Sequence, residues 1–301
     1  MPKAIFDNYF IFWDVESTSK EPTQDDIISM GGVMANYNNS KFTKISEFHT
    51  YVNTPKSIDP EAEAIHHISR KDISQAPAFT EAVLLFENWI LSAKNKASDR
   101  IIFLAHNGRK FDDIILFCNF VQNRLSFDDF LTRINCYGFV DTLKMLRVLF
   151  KNKPLCDLPK NSSTSRVSFA LGNCYSSFCN ADVLTNAHDA LVDSQALFDV
   201  FNSVNVCSLF DTLTLFQNVI TREKAMKWIK QTAGIAFQSL IDHVKEQPLD
   251  NQERMTTDPC WEEPNPLSKS EARLCLNCMN FYRIGDHLDC TLIRASQLIA
   301  K

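Results

Sequence analysis

Asp14 and Glu16 stand two residues apart in WDVEST, Asp112 follows in AHNGRKFDD, and His188 and Asp193 close the series in HDALVDSQAL. Four carboxylates are a donor set for hard divalent cations, which prefer oxygen ligands. The imidazole adds a base that titrates near neutral pH. A pair of such cations can stabilise both the attacking and the departing oxygen of an in-line displacement at phosphorus, so the chemistry open to this set is phosphodiester hydrolysis. Asp14 and Glu16 alone would read as two solvated acids at a strand end. The ordered company of the later fragments turns them into candidate ligands.

Phe10-Ile11-Phe12-Trp13 is a continuous apolar run, the pattern of a strand buried on both faces in the middle of a sheet. Side chains alternate along a strand, so Asp14 and Glu16 project to the same side, where they repel unless a cation lies between them. Residues 27–34 and 47–52 read as two further strands separated by the turn Asn38-Asn39-Ser40, an antiparallel meander that begins a mixed sheet. Helices are expected near 60–68 and over 80–93, the latter from the spacing of Val83, Leu84, Phe86 and Ile90. His66 and His67, beside Ile65 and Ile68, read as packing or surface residues.

Ile101-Ile102-Phe103-Leu104 is a second buried strand, and the chain turns through Ala105-His106-Asn107-Gly108 before a helix near Phe111. Asp112 then lies in the first helical turn, facing the sheet edge. Asp113 reads as an acid answering the helix dipole. Asn107 either anchors its own turn or touches substrate. Residues 137–143 form another strand ending in Asp141, which suits a helix cap or a residue behind the ligands. Residues 151–166 form a loop, and a helix opens near 168–173. On one continuous helix His188 and Asp193, five apart, would diverge by roughly 140°. A helix that starts near Asp189 leaves His188 on the preceding loop, able to swing over the site as a proton acceptor, with Asp193 fixed on the helix.

The 301-residue chain is 45% hydrophobic and 11% aromatic, enough for one large domain and an appendage. Ten cysteines are scattered, several in apolar runs (Cys118, Cys136, Cys207), which suggests reduced core thiols, not a disulfide framework. No secretory signal or membrane-length apolar window is evident, so an intracellular location, cytoplasmic or nuclear, is expected. The net charge is −5, yet residues 94–166 hold thirteen Lys and Arg against seven Asp and Glu. Arg109, Lys110, Lys151, Lys153, Lys160 and Arg166 are therefore candidate phosphate contacts, against the alternative of an ordinary solvated surface.

WDVEST, HNGRKFDD and HDALVDSQAL resemble, in order and register, the three motifs of the DEDDh exonucleases. That family includes proofreading epsilon-type exonucleases and three-prime repair exonucleases. The resemblance covers about residues 8–203, and FALGNCY at 169–175 is similar to a helix of the three-prime repair group. It implies an α/β, ribonuclease H-like fold, a mixed five-stranded sheet flanked by helices, and removal of nucleotides from a 3′ end as nucleoside 5′-monophosphates. It further implies that Asp14, Glu16, Asp112 and Asp193 hold two Mg²⁺ or Mn²⁺ ions and that His188 activates the attacking water. Val15, Ser17, Thr18 and Asn107 would border the substrate, with Glu16 also reaching the terminal 3′ hydroxyl. Ser19 stands where many relatives have glycine. A homodimer is a further expectation from this resemblance.

The domain plan is an exonuclease domain over 1–205, a helical extension over 206–245, an acidic linker over 246–270 and a cysteine- and histidine-containing tail over 271–301. Cys275, Cys278, His287 and Cys290 have the paired spacing of a structural zinc site; the competing reading is a cluster of reduced thiols. Such a tail would serve a protein partner or the substrate. The leading expectation is a metal-dependent 3′–5′ exonuclease on nucleic acid with a free 3′ end, DNA ahead of RNA. The alternative is a nucleic-acid-binding adaptor without turnover.

Overall fold

In a computed structural model, residues 7–151, 158, 167–182, 184–245, 255–256, 272–275 and 280–283 are described. The elements run β1 (Asn8–Ser17), β2 (Ile27–Asn38), β3 (Lys41–Tyr51), α1 (Pro60–His66), α2 (Arg70–Ile73), α3 (Phe79–Ala93), β4 (Arg100–Ala105), α4 (Asp112–Gln122), α5 (Phe127–Arg133), β5 (Cys136–Asp141), α6 (Thr142–Leu149), α7 (Leu171–Cys179), α8 (Ala190–Asn202), α9 (Val204–Cys207), α10 (Thr212–Gln217), β6 (Ile220–Thr221) and α11 (Arg222–Lys245). Toward the C-terminus, β7 (Met255–Thr256), β8 (Ala272–Cys275) and β9 (Asn280–Arg283) form a small separate sheet.

The main sheet has the order β3-β2-β1-β4-β5-β6. β1, β2 and β3 form the expected antiparallel meander, and β4 and β5 continue parallel to β1 and to each other. The five strands legible in the sequence are joined by a sixth, two residues long, that the helical extension lays antiparallel to β5, with Gly138 opposite Thr221. So short a strand carries no alternation of its own and is made by its partner.

Alternation along β1 divides the core. Tyr9, Ile11, Trp13 and Val15 face a layer drawn from α3, α4, α5 and α11. Phe10 and Phe12 face the layer of α6 to α10, where Phe12 meets Phe42, Phe198 and Phe201 at ring separations of 4.9, 5.5 and 6.0 Å. Each such aromatic contributes about 1.5–3 kcal/mol by leaving water. Because β1, β4 and β5 are parallel, their C-terminal ends lie on one edge, and Asp14, the β4–α4 turn and Asp141 arrive there together. Cys118 and Cys136 are buried free thiols as expected, and Cys174 is another, whereas Cys207, expected in the core, is only half-buried, as is Cys179. No helix among the described residues is long and apolar enough to cross a membrane.

Candidate active site

Asp14 and Glu16 lie on the α8 side of β1, opposite Gly31 and Ser29 of β2. β2 carries glycine there for a physical reason: a Cβ on Gly31 would come within 2.2 Å of the Ala190 carbonyl carbon and oxygen and 2.3 Å of the Leu191 nitrogen. The first turn of α8 therefore rests directly on the strand backbone, a close approach that strand glycines permit. Asp189 caps that turn, its carboxylate accepting from the Leu191 and Val192 N–H groups. α8 begins at Ala190, so His188 stands on the preceding loop in a left-handed conformation (φ 67°). Its backbone N–H donates to Asp193 Oδ2 at 3.2 Å, leaving the imidazole exposed. One ligand atom from each of Glu16, His188 and Asp193 falls within 4.8 Å of the other two, a group able to hold a metal ion.

Asp112 opens α4 and is 3% exposed. Its carboxyl is pushed up to about 7 by burial, against hydrogen bonding from the backbone of Asp112 and Val15 that favours the charged form. Contact with the β1 backbone thus ties the second motif to the first. Burial raises Asp14 well above the usual carboxylate range, and repulsion from Asp112, Glu16, Asp193 and Asp189 adds to it. Glu16 is pushed up to about 9 by burial and then by Asp193, Asp112 and Asp189. Asp193 rises to about 6 through burial, with His188 opposing. Four carboxylates that disfavour one another's charge at one sheet edge fit divalent cations in donor type and in charge. When bound, such ions supply positive charge to neutralise the phosphate and to sharpen the acidity of a nucleophilic water.

The other expected site residues fall into two groups. Val15, Ser17 and Thr18 are 4%, 5% and 1% exposed, with side chains turned inward. Val15 packs in the core, the Ser17 hydroxyl donates to the Ser19 carbonyl, and Thr18 donates to Asp25 while accepting from the Asp26 N–H. The backbone of the segment is engaged as well: the Thr18 N–H donates to the Asp26 carbonyl, and the Thr18 carbonyl accepts from the Asp59 N–H. Asn107 is left-handed (φ 67°) and its carbonyl accepts from the Lys110 N–H, which is the turn-forming geometry. Asp141 caps α6 by accepting from the Lys144 N–H, as its position in the sequence suggests. Lys153, Lys160 and Arg166 lie outside the described residues, as do Cys278, His287 and Cys290; Cys275 ends β8.

Asp113 lies in the first turn of α4, where an acid was expected. It is 3% exposed, and burial and Asp112 raise it well above the carboxylate range while Arg109 pulls it down. His66 is a packing residue, 7% exposed, whose Nδ1 accepts from the Ile68 N–H at 3.0 Å. Burial lowers its pKa, against a hydrogen bond to the Ser17 backbone that raises it, so His66 packs against the end of β1. His106 is a positioning group that reasoning from the sequence passed over. Its Nε2 lies 2.8 Å from the Phe169 carbonyl and its Nδ1 3.2 Å from Thr142 Oγ1, which ties the second motif to the approach to α7. Gly31 was likewise missed, although a Gly-Gly pair inside an apolar strand signals a close backbone approach.

The raised carboxylates set the sign of a pH effect. Without metal they hold more protons folded than unfolded, so stability falls as pH climbs from the ordinary carboxylate range, about 4, through about 6, 7 and 9 for Asp193, Asp112 and Glu16. Cations displace those protons. Thermal unfolding should therefore show a larger Mg²⁺- or Mn²⁺-induced rise in Tm near about pH 8.5 than near about pH 6. An increment independent of pH would detach these carboxylates from metal binding.

A mixed sheet with α8 across its carboxylate edge, bearing four acids and a loop histidine, is the architecture of the DEDDh class within the ribonuclease H-like superfamily. The chain belongs to the exonuclease family (RNase_T), whose model matches residues 11–201; it is a 3′–5′ exonuclease of that class, and membership implies divalent metal ions. DNA polymerase III subunit epsilon of Buchnera aphidicola subsp. Baizongia pistaciae is 27% identical over 250 residues, covering 74% of this chain and 93% of that protein. Escherichia coli exonuclease I, solved with a dA16 oligonucleotide, shares the fold with a TM-score of 0.54 at 20% identity, over 70% of this chain and 44% of that one. Cell-death related nuclease 4 shares it with a TM-score of 0.51 at 15% identity, over 65% and 63% of the two chains. The chain thus spans less than half the length of the exonuclease I it matches.

Proposed function

We propose that this protein removes nucleotides one at a time from the 3′ end of single-stranded DNA, releasing nucleoside 5′-monophosphates. Two Mg²⁺ or Mn²⁺ ions would be held by Asp14, Glu16, Asp112 and Asp193, and His188 would be the general base. The observation that carries the reading is the approach of Glu16, His188 and Asp193 donor atoms to within 4.8 Å of one another beside the mutually repelling Asp14 and Asp112.

The bound cations supply charge neutralisation and nucleophile activation. Everything else falls to the chain. His188, on a loop in front of α8, takes the proton of the attacking water at its imidazole. Its backbone bond to Asp193 keeps the loop in register with the ligand it must serve. Glu16, on the strand floor, meets the terminal sugar at its 3′ hydroxyl, and the segment of Val15, Ser17 and Thr18 borders the terminal nucleotide. DNA is favoured as substrate because the curated relative is a DNA polymerase subunit and a fold relative was solved with a deoxyadenosine oligomer.

The test is digestion of 5′-labelled single-stranded DNA, duplex DNA and RNA of matched sequence in Mg²⁺, Mn²⁺ and EDTA. A metal-dependent ladder shortening from the 3′ end, fastest on single-stranded DNA, is expected. His188→Ala should slow it by about 10²–10⁴-fold, the usual contribution of general base catalysis, and should flatten the acidic limb of the pH–rate profile. Cleavage that persists in EDTA, or starts internally, would overturn the mechanism. A faster ladder on RNA would reverse the substrate choice alone.

A further inference from the structure

The helical extension meets the β4–α4 turn at Trp228. α11 leaves the sheet at Thr221 and is pinned to α5 by Asp128, which takes Lys230 Nζ at 3.0 Å and Arg222 Nη2 at 3.7 Å. Ala225, Met226 and Ile229 bury its inner face. Two turns in, Trp228 stands against the β4–α4 turn with the Arg109 guanidinium 4.7 Å above its ring. Arg109 lies two residues after Asn107 and three before Asp112, and it makes no ion pair among the described residues.

Arg109 is near enough to the buried Asp113 to pull its carboxyl down, yet it is not drawn into an ion pair with it. Stacked on Trp228, it instead keeps its planar face occupied and its N–H edge available, an arrangement matched to bidentate phosphate binding. Lys110, beside it, is exposed, and so are Lys224 and Lys227 on α11, so the turn and the extension both present positive charge.

We propose that Trp228 is a positioning residue that holds Arg109 against a backbone phosphate of the strand on the 5′ side of the terminal nucleotide, so that the helical extension is part of the substrate-binding surface. This rests on the exonuclease reading of the same site, in which a polynucleotide is the ligand.

The experiment compares wild type, Arg109→Gln, Trp228→Ala, Trp228→Phe and the Arg109→Gln/Trp228→Ala double variant of the full chain on a labelled single strand of about 20 nucleotides. KM and kcat are measured across a salt series. Arg109→Gln and Trp228→Ala should each raise KM about fivefold with a much smaller change in kcat, and each should reduce the salt slope by about 0.7, one phosphate contact on a single strand. The double variant should match the singles, because both remove the same contact, and Trp228→Phe, which retains an aromatic face, should restore most of the affinity. Additive effects, a loss confined to kcat or Tm, or an unchanged KM in Arg109→Gln would overturn the proposal. Should the wild type cleave nothing, the exonuclease reading fails separately, and anisotropy of the same oligonucleotide in EDTA decides this one. Weaker binding by both single variants upholds it, and equal binding or none by the wild type overturns it.

Discussion

Replacing Asp14 with asparagine is expected to abolish 3′-terminal cleavage while making the metal-free protein more stable. Asn keeps the shape of the side chain and removes its charge. Burial, and then repulsion from Asp112, Glu16, Asp193 and Asp189, disfavours a charge on Asp14, so asparagine removes the folding cost of suppressing that charge and at the same time removes a ligand from the cations. Activity should fall by at least about 10³-fold, beyond what losing a single preorganised contact costs. In EDTA at about pH 8, the Tm should rise by about 2–4 °C for each kcal/mol of relieved strain in a domain of this size. The two measurements point in opposite directions, which a folding defect cannot imitate: a misfolded variant would lose both. The rise in Tm that Mg²⁺ gives the wild type should shrink in the variant. Activity within tenfold of wild type, or a lowered Tm in EDTA, would remove Asp14 from the metal-binding set.

The placement of the candidate site residues was legible wherever it depended on local geometry. Strand alternation places Asp14 and Glu16 on one side of β1, and α8 starts at Ala190 as the otherwise divergent His188 and Asp193 required. What stayed hidden depends on contacts between residues far apart in the chain. Asp113 occupies a first helical turn, where acids are common, and only the packing of α4 shows it buried. β6 exists because β5 has a free edge. Trp228 lies more than a hundred residues from Arg109, and no periodicity in either segment announces the pair. Val15, Ser17 and Thr18 show a further limit. A motif can mark a segment without telling which way its side chains turn, and all three prove buried.

Gly31 and Gly32 make the dependence of the site on a single close approach measurable, because adjacent strand residues face opposite layers. On Gly32 a methyl would meet Trp89 Cη2 at 3.3 Å and Ile11 Cγ2 at 3.6 Å, side chains that can shift by tenths of an ångström. On Gly31 it would overlap the backbone of Ala190 and Leu191 at 2.2–2.3 Å, and backbone in the capped first turn of a helix cannot step aside without taking the helix along. α8 would have to lift from β2, carrying Asp193 and the His188 loop away from Asp14 and Glu16. Overpacking of this kind costs about 1–3 kcal/mol or more, and a displacement near 1 Å at a reacting centre costs about 10²-fold in rate. Gly31→Ala is therefore expected to lower Tm and to lose at least that much activity, while Gly32→Ala stays near wild type in both. If the two variants behave alike, or if Gly31→Ala retains full activity and Tm, then α8 does not rest on β2 at Gly31, and the convergence of Glu16, His188 and Asp193 would have to be built in some other way.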